Sequence, residues 1–182
     1  MNAAVQYLID VVFTLASIIF IARFLLQACR ANFYNPVSQG IVKITDPVLK
    51  PARMVLPSIR NIDLASFAFA WLAIGLLMAI QYPATPIGLM IGYSAVQTLI
   101  LILKFLYWSI FAVIILSFLS PGNPHPLIAL LHEITEPVLA PARRIIPSFG
   151  GLDFSPMLVL LVLYMLELIL VDLFQRLAGA LV

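Results

Sequence analysis

The stretch TDPVLKPARMVLPSIRNID at residues 45 to 63 returns as TEPVLAPARRIIPSFGGLD at residues 135 to 153, with a constant offset of 90. We call these stretches the first motif and the second motif. Similarity at a fixed spacing is the sequence signature of a repeated architecture, so we interpret the chain as a tandem duplication of one unit. The repeated structural positions are Thr45, Pro47, Pro51, Pro57 and Asp63 in the first motif and Thr135, Pro137, Pro141, Pro147 and Asp153 in the second.

The composition places this unit in a membrane. Of the 182 residues, 63% are hydrophobic and 10% are charged, and the mean hydropathy is +1.11. A soluble domain is about half apolar and about a quarter charged. Residues 64 to 103 and residues 105 to 132 carry no charged side chain, and about 20 apolar residues suffice to cross the hydrocarbon core. The chain therefore contains several membrane-spanning helices.

Charge and cysteine content argue against other classes of protein. A net charge of +2, without a basic run that contains aromatic residues, is not typical of a nucleic-acid-binding protein. The single cysteine, Cys29, gives neither an intramolecular disulfide nor a zinc-ligand spacing. The N-terminus has no lysine or arginine before Arg23, unlike a secretory signal peptide, so we expect residues 5 to 29 to remain as a membrane helix.

Four spanning helices are predicted from the charge-free stretches and the prolines. They are residues 5 to 29, residues 64 to 82, one helix within 87 to 119, and residues 154 to 178. The sequence QYPATP at residues 81 to 86 predicts a tight turn, because proline cannot donate a backbone hydrogen bond. As a straight helix the third stretch is about 50 Å long and the hydrocarbon core about 30 Å, so we expect one long helix that tilts or protrudes.

The predicted fold is an all-α membrane protein in which each half reads as spanning helix, amphipathic interfacial segment, spanning helix. The first half is residues 1 to 82, with its interfacial segment at 36 to 58, and the second is residues 87 to 182, with its segment at 126 to 148. Because lysine and arginine favour the cytoplasmic side, we expect both segments at the cytoplasmic face of the membrane and both termini outside. Candidates for binding anionic lipid or a partner are Lys43, Lys50, Arg53, Arg143 and Arg144.

Both segments carry apolar residues at spacings of four, three and four, which indicates an amphipathic helix lying in the interface. In Thr-Asp-Pro and Thr-Glu-Pro the acid precedes a proline, as in a helix cap followed by proline at the first helical position. We therefore expect each segment to form two half-helices that meet at this point. The apolar residues are Val37, Ile41, Ile44 and Val48 in the first segment and Leu127, Leu131, Ile134 and Val138 in the second.

Arginine and aspartate recur ten residues apart in the two motifs, as Arg53 with Asp63 and Arg143 with Asp153. A guanidinium at the level of the headgroups binds a phosphate or a carboxylate. Our first interpretation is that the aspartates cap the next helix while the arginines contact headgroups. The alternative is an arginine–aspartate ion pair that fixes the angle at which the chain re-enters the membrane.

Ionisable residues within the predicted spans need a partner or water, because each costs about 2.5 to 3.5 kcal/mol there. Ser94, Gln97, Lys104 and Trp108 share one face of the third span. Glu167 in the fourth span lies at a similar depth to Lys104. We therefore predict an ion pair between Lys104 and Glu167, either as a packing contact or as part of an ion or proton path.

The other charged residues in the spans lie closer to the helix ends. Asp10 falls on a polar stripe near the outer face of the membrane, and Asp172 and Arg176 are spaced to pair within one helix. Arg23 is near the inner end, where we expect its long side chain to extend to the interface. The stripe of Asp10 also contains Gln6, Thr14 and Ser17, and that of Arg23 contains Gln27 and Arg30.

Neither catalysis nor a bound cofactor is expected. The sequence has no G-x-S-x-G, no H-E-x-x-H and no glycine-rich phosphate loop. His125 and His132 are seven residues apart, but beyond Glu133 and Glu136 no further ligand residues are nearby. We therefore expect no metal or haem site.

The stretches FYNPVSQGIVKITDPVLKPAR at residues 33 to 53 and ITEPVLAPARRIIPSFGGLDFSP at residues 134 to 156 resemble the YggT (YlmG) family of membrane proteins. The second copy begins with Asn123-Pro124-His125-Pro126 in place of Phe-Tyr-Asn-Pro. The resemblance implies an integral membrane protein with no established enzymatic activity. Bacterial members are associated with osmotic or salt-stress tolerance and cell division, and plastid and cyanobacterial relatives with haem assembly of a cytochrome and nucleoid distribution.

Two functions fit these features. The first is a non-catalytic membrane scaffold or assembly factor whose interfacial segments bind anionic lipid or an unidentified partner protein at the cytoplasmic surface. The alternative is a channel or transport component in ion homeostasis. That alternative requires a homo-oligomer, because four helices leave little room for a pore, and Gly75, Gly88 and Gly92 are small residues suited to such packing. We expect no nucleic-acid partner.

Overall fold

The computed structural model describes residues 2–119, 124–146 and 153–179. Within these ranges the chain forms six α-helices and no β-strand. The helices are α1 (Ala3–Ala28), α2 (Pro36–Ala52), α3 (Leu64–Gln81), α4 (Ile87–Leu119), α5 (Pro126–Ile145) and α6 (Ser155–Gly179).

Four of these helices, α1, α3, α4 and α6, are long and apolar enough to cross a membrane. α4 is one helix of 33 residues, which confirms the prediction of a single long third span. The predicted turn after α3 is closed by a hydrogen bond of 3.1 Å from the Thr85 N–H to the Tyr82 carbonyl. The all-α membrane architecture is thus confirmed. The protein is a multi-pass membrane protein.

The spanning helices pack in pairs. α1 packs most extensively on α3 and α4 on α6, and the contact between α3 and α4 joins the pairs. Two glycines face neighbouring helices inside this bundle: a Cβ on Gly75 would lie in ordinary contact, 3.6 Å from Ser94 Oγ, and one on Gly92 would lie 3.6 Å from the Phe174 ring. Gly75 therefore lies at the contact between α3 and α4, and Gly92 at the contact between α4 and α6.

α2 and α5 are each one continuous helix, so the prediction of two half-helices in each segment is wrong. Pro47 and Pro137 lie inside the helices and do not begin new ones. The threonine hydroxyls stay within their own helix, because Thr45 Oγ1 donates to the Ile41 carbonyl at 2.8 Å and Thr135 Oγ1 donates to the Leu131 carbonyl at 2.8 Å. A threonine bonded in this way bends a helix without ending it.

The buried face of α2 differs from its apolar stripe. Ser38, Thr45 and Leu49 are fully buried against the bundle, whereas Ile44 is 65% exposed. Val48 is also exposed. The polar hydroxyl of Thr45 tolerates burial because it is hydrogen-bonded within its helix. Part of the apolar stripe is therefore left facing away from the protein.

The segment from α2 to α3 turns tightly before it re-enters the bundle. Ile59 and Ile62 exchange two backbone hydrogen bonds of 2.9 Å, and Arg60 between them has a φ of 53°. Pro57 lies just before this turn, outside α2. The turn leads directly to Asp63, which is the N-cap of α3. In the second motif Pro147 lies outside the described residues.

The loop between α1 and α2 contacts the start of α5. Asn35 caps α2 by accepting a hydrogen bond of 2.9 Å from the Val37 N–H. Its side-chain amide also donates to the Pro126 carbonyl at 2.7 Å. Nearby, the Asn32 N–H donates to Glu133 Oε2 at 2.7 Å. These bonds hold α2 and α5 side by side, at the end of the bundle where α1 finishes and α3 begins.

Candidate functional site

The first motif forms a buried ion pair. Arg53 at the end of α2 donates from Nη2 to Asp63 Oδ2. Asp63 is 0% exposed, and it also accepts from the Ser66 hydroxyl at 2.7 Å and from the Ser66 N–H at 3.4 Å. Burial raises the pKa of Asp63, but the hydrogen bonds from Arg53 and Ser66 and the Arg53 charge outweigh it and hold the pKa below its usual value. Asp63 is therefore a helix cap and an ion-pair partner at once.

Arg23 joins this region from α1. Its Nη2 lies 3.7 Å from Asp46 Oδ1, and its guanidinium carbon lies 5.0 Å from the centre of the Phe33 ring. Asp46 is also 3.1 Å from the Lys50 ammonium. Arg23 is only 5% exposed, so protein covers the side chain that we expected to extend to the interface. Within the described residues Arg23 Nε and Nη1 and Asp46 Oδ1 make no hydrogen bond, so the contacts of the guanidinium at the junction between α1 and α2 are the nearby charge of Asp46 and the aromatic face of Phe33.

The second motif repeats the ion pair in a more open setting. Arg143 Nε donates to Asp153 Oδ2 at 2.9 Å, and its Nη1 donates to the two Glu136 oxygens at 2.8 and 2.9 Å. The bond to Asp153 raises the pKa of Arg143, partial burial opposes that rise, and Glu136 adds to it. Partial burial raises the pKa of Asp153, but bonds from Ser155 and Arg143 lower it below its usual value. The Asp153 side chain is 38% exposed.

The remaining motif residues separate into an inner and an outer group. Thr45 and Thr135 are buried and bonded within their helices. Lys43, Lys50 and Arg144 are exposed. Arg53 and Arg143 are paired with their aspartates, so the cations turned outward in these regions are Lys43, Lys50, Arg60 and Arg144. The prolines inside α2 and α5 are Pro47, Pro51, Pro137 and Pro141.

Lys104 and Glu167 form the predicted ion pair. Lys104 Nζ lies 3.1 Å from Glu167 Oε1, which joins the middle of α4 to α6 and confirms the prediction. The Lys104 side chain is 51% exposed. The local pair is also confirmed, with Arg176 Nε 2.8 Å from Asp172 Oδ2.

Two polar stripes predicted separately face the same space. A cleft of about 280 Å³ lies between α1, α3 and α4. Its polar lining comes from Thr14 and Ser17 of α1 and from Gln97 and Lys104 of α4, and the rest of its wall is mostly apolar, with Ile74, Leu77, Met78, Ile100 and Leu101. Gln81 of α3 also lines it. The Gln81 amide donates to Asp10 Oδ1 at 3.3 Å, so Asp10 is tied to the edge of the cleft.

The other two residues of the α4 stripe lie elsewhere. Ser94 turns toward α3, where it accepts a hydrogen bond of 2.8 Å from Trp71 Nε1. Trp108 is exposed on the outside of the bundle. The sequence-based prediction also overlooked Gln81 and Ser66. Both are isolated polar residues in an otherwise apolar helix, and that isolation was the available signal.

The histidines have ordinary placements. His125 caps α5 by accepting a hydrogen bond of 3.2 Å at Nδ1 from the Leu127 N–H, and His132 is exposed. In the ranges that the structure describes, no three histidine, cysteine, aspartate or glutamate side chains are grouped as metal ligands.

Comparison with known proteins gives a family and several relatives. The sequence model described as CCB3/YggT matches residues 2–83 and 92–174. The chain is 34% identical over 185 residues to an uncharacterised protein of Pseudomonas aeruginosa, an alignment that covers 98% of this chain and 94% of the relative. It is 40% identical over 159 residues to an uncharacterised protein of Vibrio alginolyticus, covering 84% of this chain and 85% of the relative.

A further relative is the uncharacterised protein YggT of Escherichia coli, with 33% identity over 178 residues, 93% of this chain and 90% of the relative. The names of these relatives assign no activity to them. No solved structure shows significant similarity to the chain.

Proposed function

The chain belongs to the CCB3/YggT family, and on this basis we propose that it is a non-catalytic scaffold or assembly factor of the bacterial inner membrane. Its helices α2 and α5 lie at the cytoplasmic surface, where they bind anionic lipid headgroups and position a partner membrane protein. The physiological setting that we propose is osmotic or salt-stress tolerance, cell division or the biogenesis of membrane complexes.

The outward side of α2 carries this proposal. Ile44 and Val48 are exposed there, and Met54 and Val55 are exposed in the turn that follows. Lys50 is exposed on the same helix. Apolar side chains next to cations are the arrangement by which a helix lies in the interface of an anionic membrane. α5 ends in a similar way, with exposed Arg144 and Ile145.

The arginine–aspartate pairs support a positioning role for Arg53 and Arg143. Each pair joins the end of an interfacial helix to the start of a spanning helix, Arg53 to Asp63 and Arg143 to Asp153. An ion pair at this position fixes the angle between the interfacial helix and the spanning helix. We therefore assign the headgroup contacts mainly to Lys43, Lys50 and Arg144, and the orientation of α2 and α5 to the arginine–aspartate pairs.

The proposed orientation follows from the distribution of cations. Lys43, Lys50 and Arg144 belong to α2 and α5, whereas the turn at residues 82 to 86 has no cation. Because lysine and arginine are retained on the cytoplasmic side, the α2 and α5 end of the bundle faces the cytoplasm. The turn between α3 and α4 and both termini are then outside.

Lipid binding by the purified protein tests the proposal. We expect native mass spectrometry to show preferential retention of phosphatidylglycerol over phosphatidylcholine. The variant Lys43→Gln/Lys50→Gln/Arg144→Gln should reduce that preference about tenfold or more, because each cation near an anionic surface contributes about 1 kcal/mol. The preference should also weaken as salt is raised.

A matched control distinguishes lipid binding at α2 and α5 from a general effect of positive charge on the protein. Arg176→Gln removes one cation at the far end of α6, so its effect is compared with that of Lys43→Gln alone. We expect the first to leave the phosphatidylglycerol preference unchanged and the second to lower it. An unchanged preference in the triple variant would overturn the lipid-binding proposal.

A second candidate function is a homo-oligomeric channel or transport component in ion homeostasis. It is favoured by the Lys104–Glu167 pair, whose ammonium lies halfway along a spanning helix. Ionisable groups at such depths mark ion or proton pathways in many membrane proteins. The candidate predicts an ion flux in liposomes that Lys104→Met abolishes while the protein stays folded. Flux that persists in this variant, or no flux in the parent protein, would eliminate the candidate.

A further inference from the structure

We propose that the cleft between α1, α3 and α4 is filled with water in the membrane. It opens toward the turn between α3 and α4 and ends at the Lys104–Glu167 ion pair. It thereby exposes the middle of the bundle to the aqueous phase on one side only. This site for water and small hydrophilic solutes is independent of lipid binding by α2 and α5.

The cleft follows the bundle from its end to its centre. Gln81 and Tyr82 line it at the end of α3, next to the turn. On α4 its lining runs from Tyr93 to Lys104, which is about 16 Å along a helix axis at about 1.5 Å per residue. Its volume of about 280 Å³ accommodates several waters, since each takes about 30 Å³.

The lining side chains have hydrogen-bonding capacity that the described protein groups leave unused. Ser17 donates to the Phe13 carbonyl at 2.8 Å, and Gln81 donates to Asp10 at 3.3 Å. Within the described residues, the Gln97 amide and the Thr14 hydroxyl make no hydrogen bond. Polar groups that face an accessible space and lack a protein partner are satisfied by water.

The charge at the inner end favours water over a lipid chain. Lys104 uses one of its ammonium donors for Glu167, and half of its side chain remains exposed. Charged groups at this depth face a partner or a water-filled cavity, because hydrocarbon cannot solvate them. An acyl chain in the cleft would leave the remaining Lys104 donors, the Gln97 amide and the Thr14 hydroxyl without hydrogen-bond partners.

Beyond Lys104 the surroundings become apolar. A second space on that side is lined mostly by apolar side chains, among them Ile18, Phe105 and Leu131, and apart from Trp108 its polar lining is limited to Lys104 itself and Ser109. Apolar walls of this kind do not hold water in place. The hydrated cleft therefore ends at the ion pair and does not continue through the molecule.

Cysteine accessibility tests this inference. The chain has a single cysteine, so one substitution gives a background without cysteine. In a Cys29→Ser background, Gln97→Cys is treated with a small membrane-impermeant thiol reagent. Its control is Leu99→Cys, two residues away on α4 at similar depth but exposed on the outside of the bundle. Because the thiolate is the reactive form and requires water, we expect Gln97→Cys to react at least about tenfold faster.

Sidedness is read from vesicles of both orientations. Ala84→Cys in the turn between α3 and α4 marks the side that the reagent reaches. Gln97→Cys should react only in vesicles in which Ala84→Cys also reacts. A Gln97→Cys rate no higher than that of Leu99→Cys, or reaction from the opposite side, would overturn the inference.

Thr14→Cys on α1 provides a second probe if Gln97→Cys does not fold. Its control is the neighbouring Leu15→Cys, which is exposed on the outside of the bundle. The same difference in rate is expected, because Thr14 faces the cleft from the other wall. Equal rates for these two variants contradict the inference. Neither result bears on phosphatidylglycerol binding. The inference about the cleft and the proposed function can therefore be overturned independently.

Discussion

Asp63 and Asp153 occupy matching positions in the two motifs, but the protein surrounds them differently. Asp63 is fully buried, and its partner Arg53 is largely covered. Asp153 and Arg143 are both more than a third exposed. An ion pair in water contributes about 0 to 1 kcal/mol, whereas removal of one partner from a buried pair leaves an uncompensated charge. The same two residue types therefore differ in their importance for stability.

The first prediction compares asparagine substitutions at these two positions. Asparagine keeps the capping ability and removes the charge. We expect Asp63→Asn to lower the free energy of unfolding by about 3 kcal/mol, because Arg53 loses a buried partner. Asp153→Asn should cost about 1 kcal/mol or less, since water screens the exposed pair. Thermal unfolding in detergent measures both, and equal losses would contradict the difference in burial.

The second prediction concerns the pH dependence of stability. Burial raises the pKa of Asp63, but the Arg53 and Ser66 hydrogen bonds prevail, so the folded-state pKa lies below the ordinary value of 3.8. The unfolded chain then binds a proton at higher pH than the folded one. The contribution of Asp63 is complete above its ordinary pKa and is lost as the pH falls through the folded-state pKa.

The direction of this pH dependence is checked by unfolding the parent protein and the Asp63→Asn variant between about pH 6 and about pH 3, across the ordinary range of aspartate pKa values. The parent should lose more stability than the variant at the acid end, so that the two curves converge. Parallel curves would show that protonation of Asp63 is not linked to unfolding.

At the scale of the helix, α2 and α5 are continuous despite internal prolines. A proline inside a helix costs about 3 kcal/mol because it removes one hydrogen bond and crowds the preceding turn. Burial on either side of the proline offsets this cost, since Thr45 and Leu49 both pack against the bundle around Pro47. The helix is therefore maintained by its contacts with the spanning helices more than by its own propensity.

The third prediction is that Pro47→Ala stabilises α2. Alanine restores an N–H at residue 47, which can donate to the Lys43 carbonyl four residues earlier. We expect slower amide hydrogen exchange in α2, measured by mass spectrometry. Pro57→Ala is the control, because Pro57 lies outside the helix, between α2 and the turn at Ile59. Equal changes in the two variants would point to an effect on the unfolded chain alone.

At the scale of the whole molecule, the bundle is stabilised by helix packing and by hydrogen bonds and ion pairs between helices. Trp71 on α3 donates to Ser94 on α4, and Lys104 on α4 pairs with Glu167 on α6. The bilayer supplies no hydrophobic driving force between helices, so packing and polar contacts must provide their association. The ion pair is thus one of the contacts that position α6.

The fourth prediction is a double-mutant cycle across that pair, with Lys104→Met and Glu167→Leu. Each single variant should lower stability, because it leaves one charge without its partner. The double variant should be no less stable than either single variant, with a coupling energy of about 0.6 to 1.7 kcal/mol. Unfolding in detergent measures the cycle. Additive effects would show that the two side chains do not stabilise each other.

Features set by local spacing were predictable from the sequence. The four spans and the long α4 follow from apolar length, and the Asp172–Arg176 pair follows from the helical repeat of about 3.6 residues. The Lys104–Glu167 pair was predictable because depth in a membrane is counted along each helix. Both charges also need a partner at that depth, which restricts the choice.

The tertiary structure alone decided which faces meet. The burial of Arg23 depends on Asp46 and Phe33, which reach it from outside α1. Likewise, the polar stripes of α1 and α4 meet in one cleft only because both helices pack around α3. The sequence by itself determined that shorter amphipathic helices with internal prolines lie between four spans. Periodicity records which residues share a face, whereas the surface that covers that face depends on packing between distant segments.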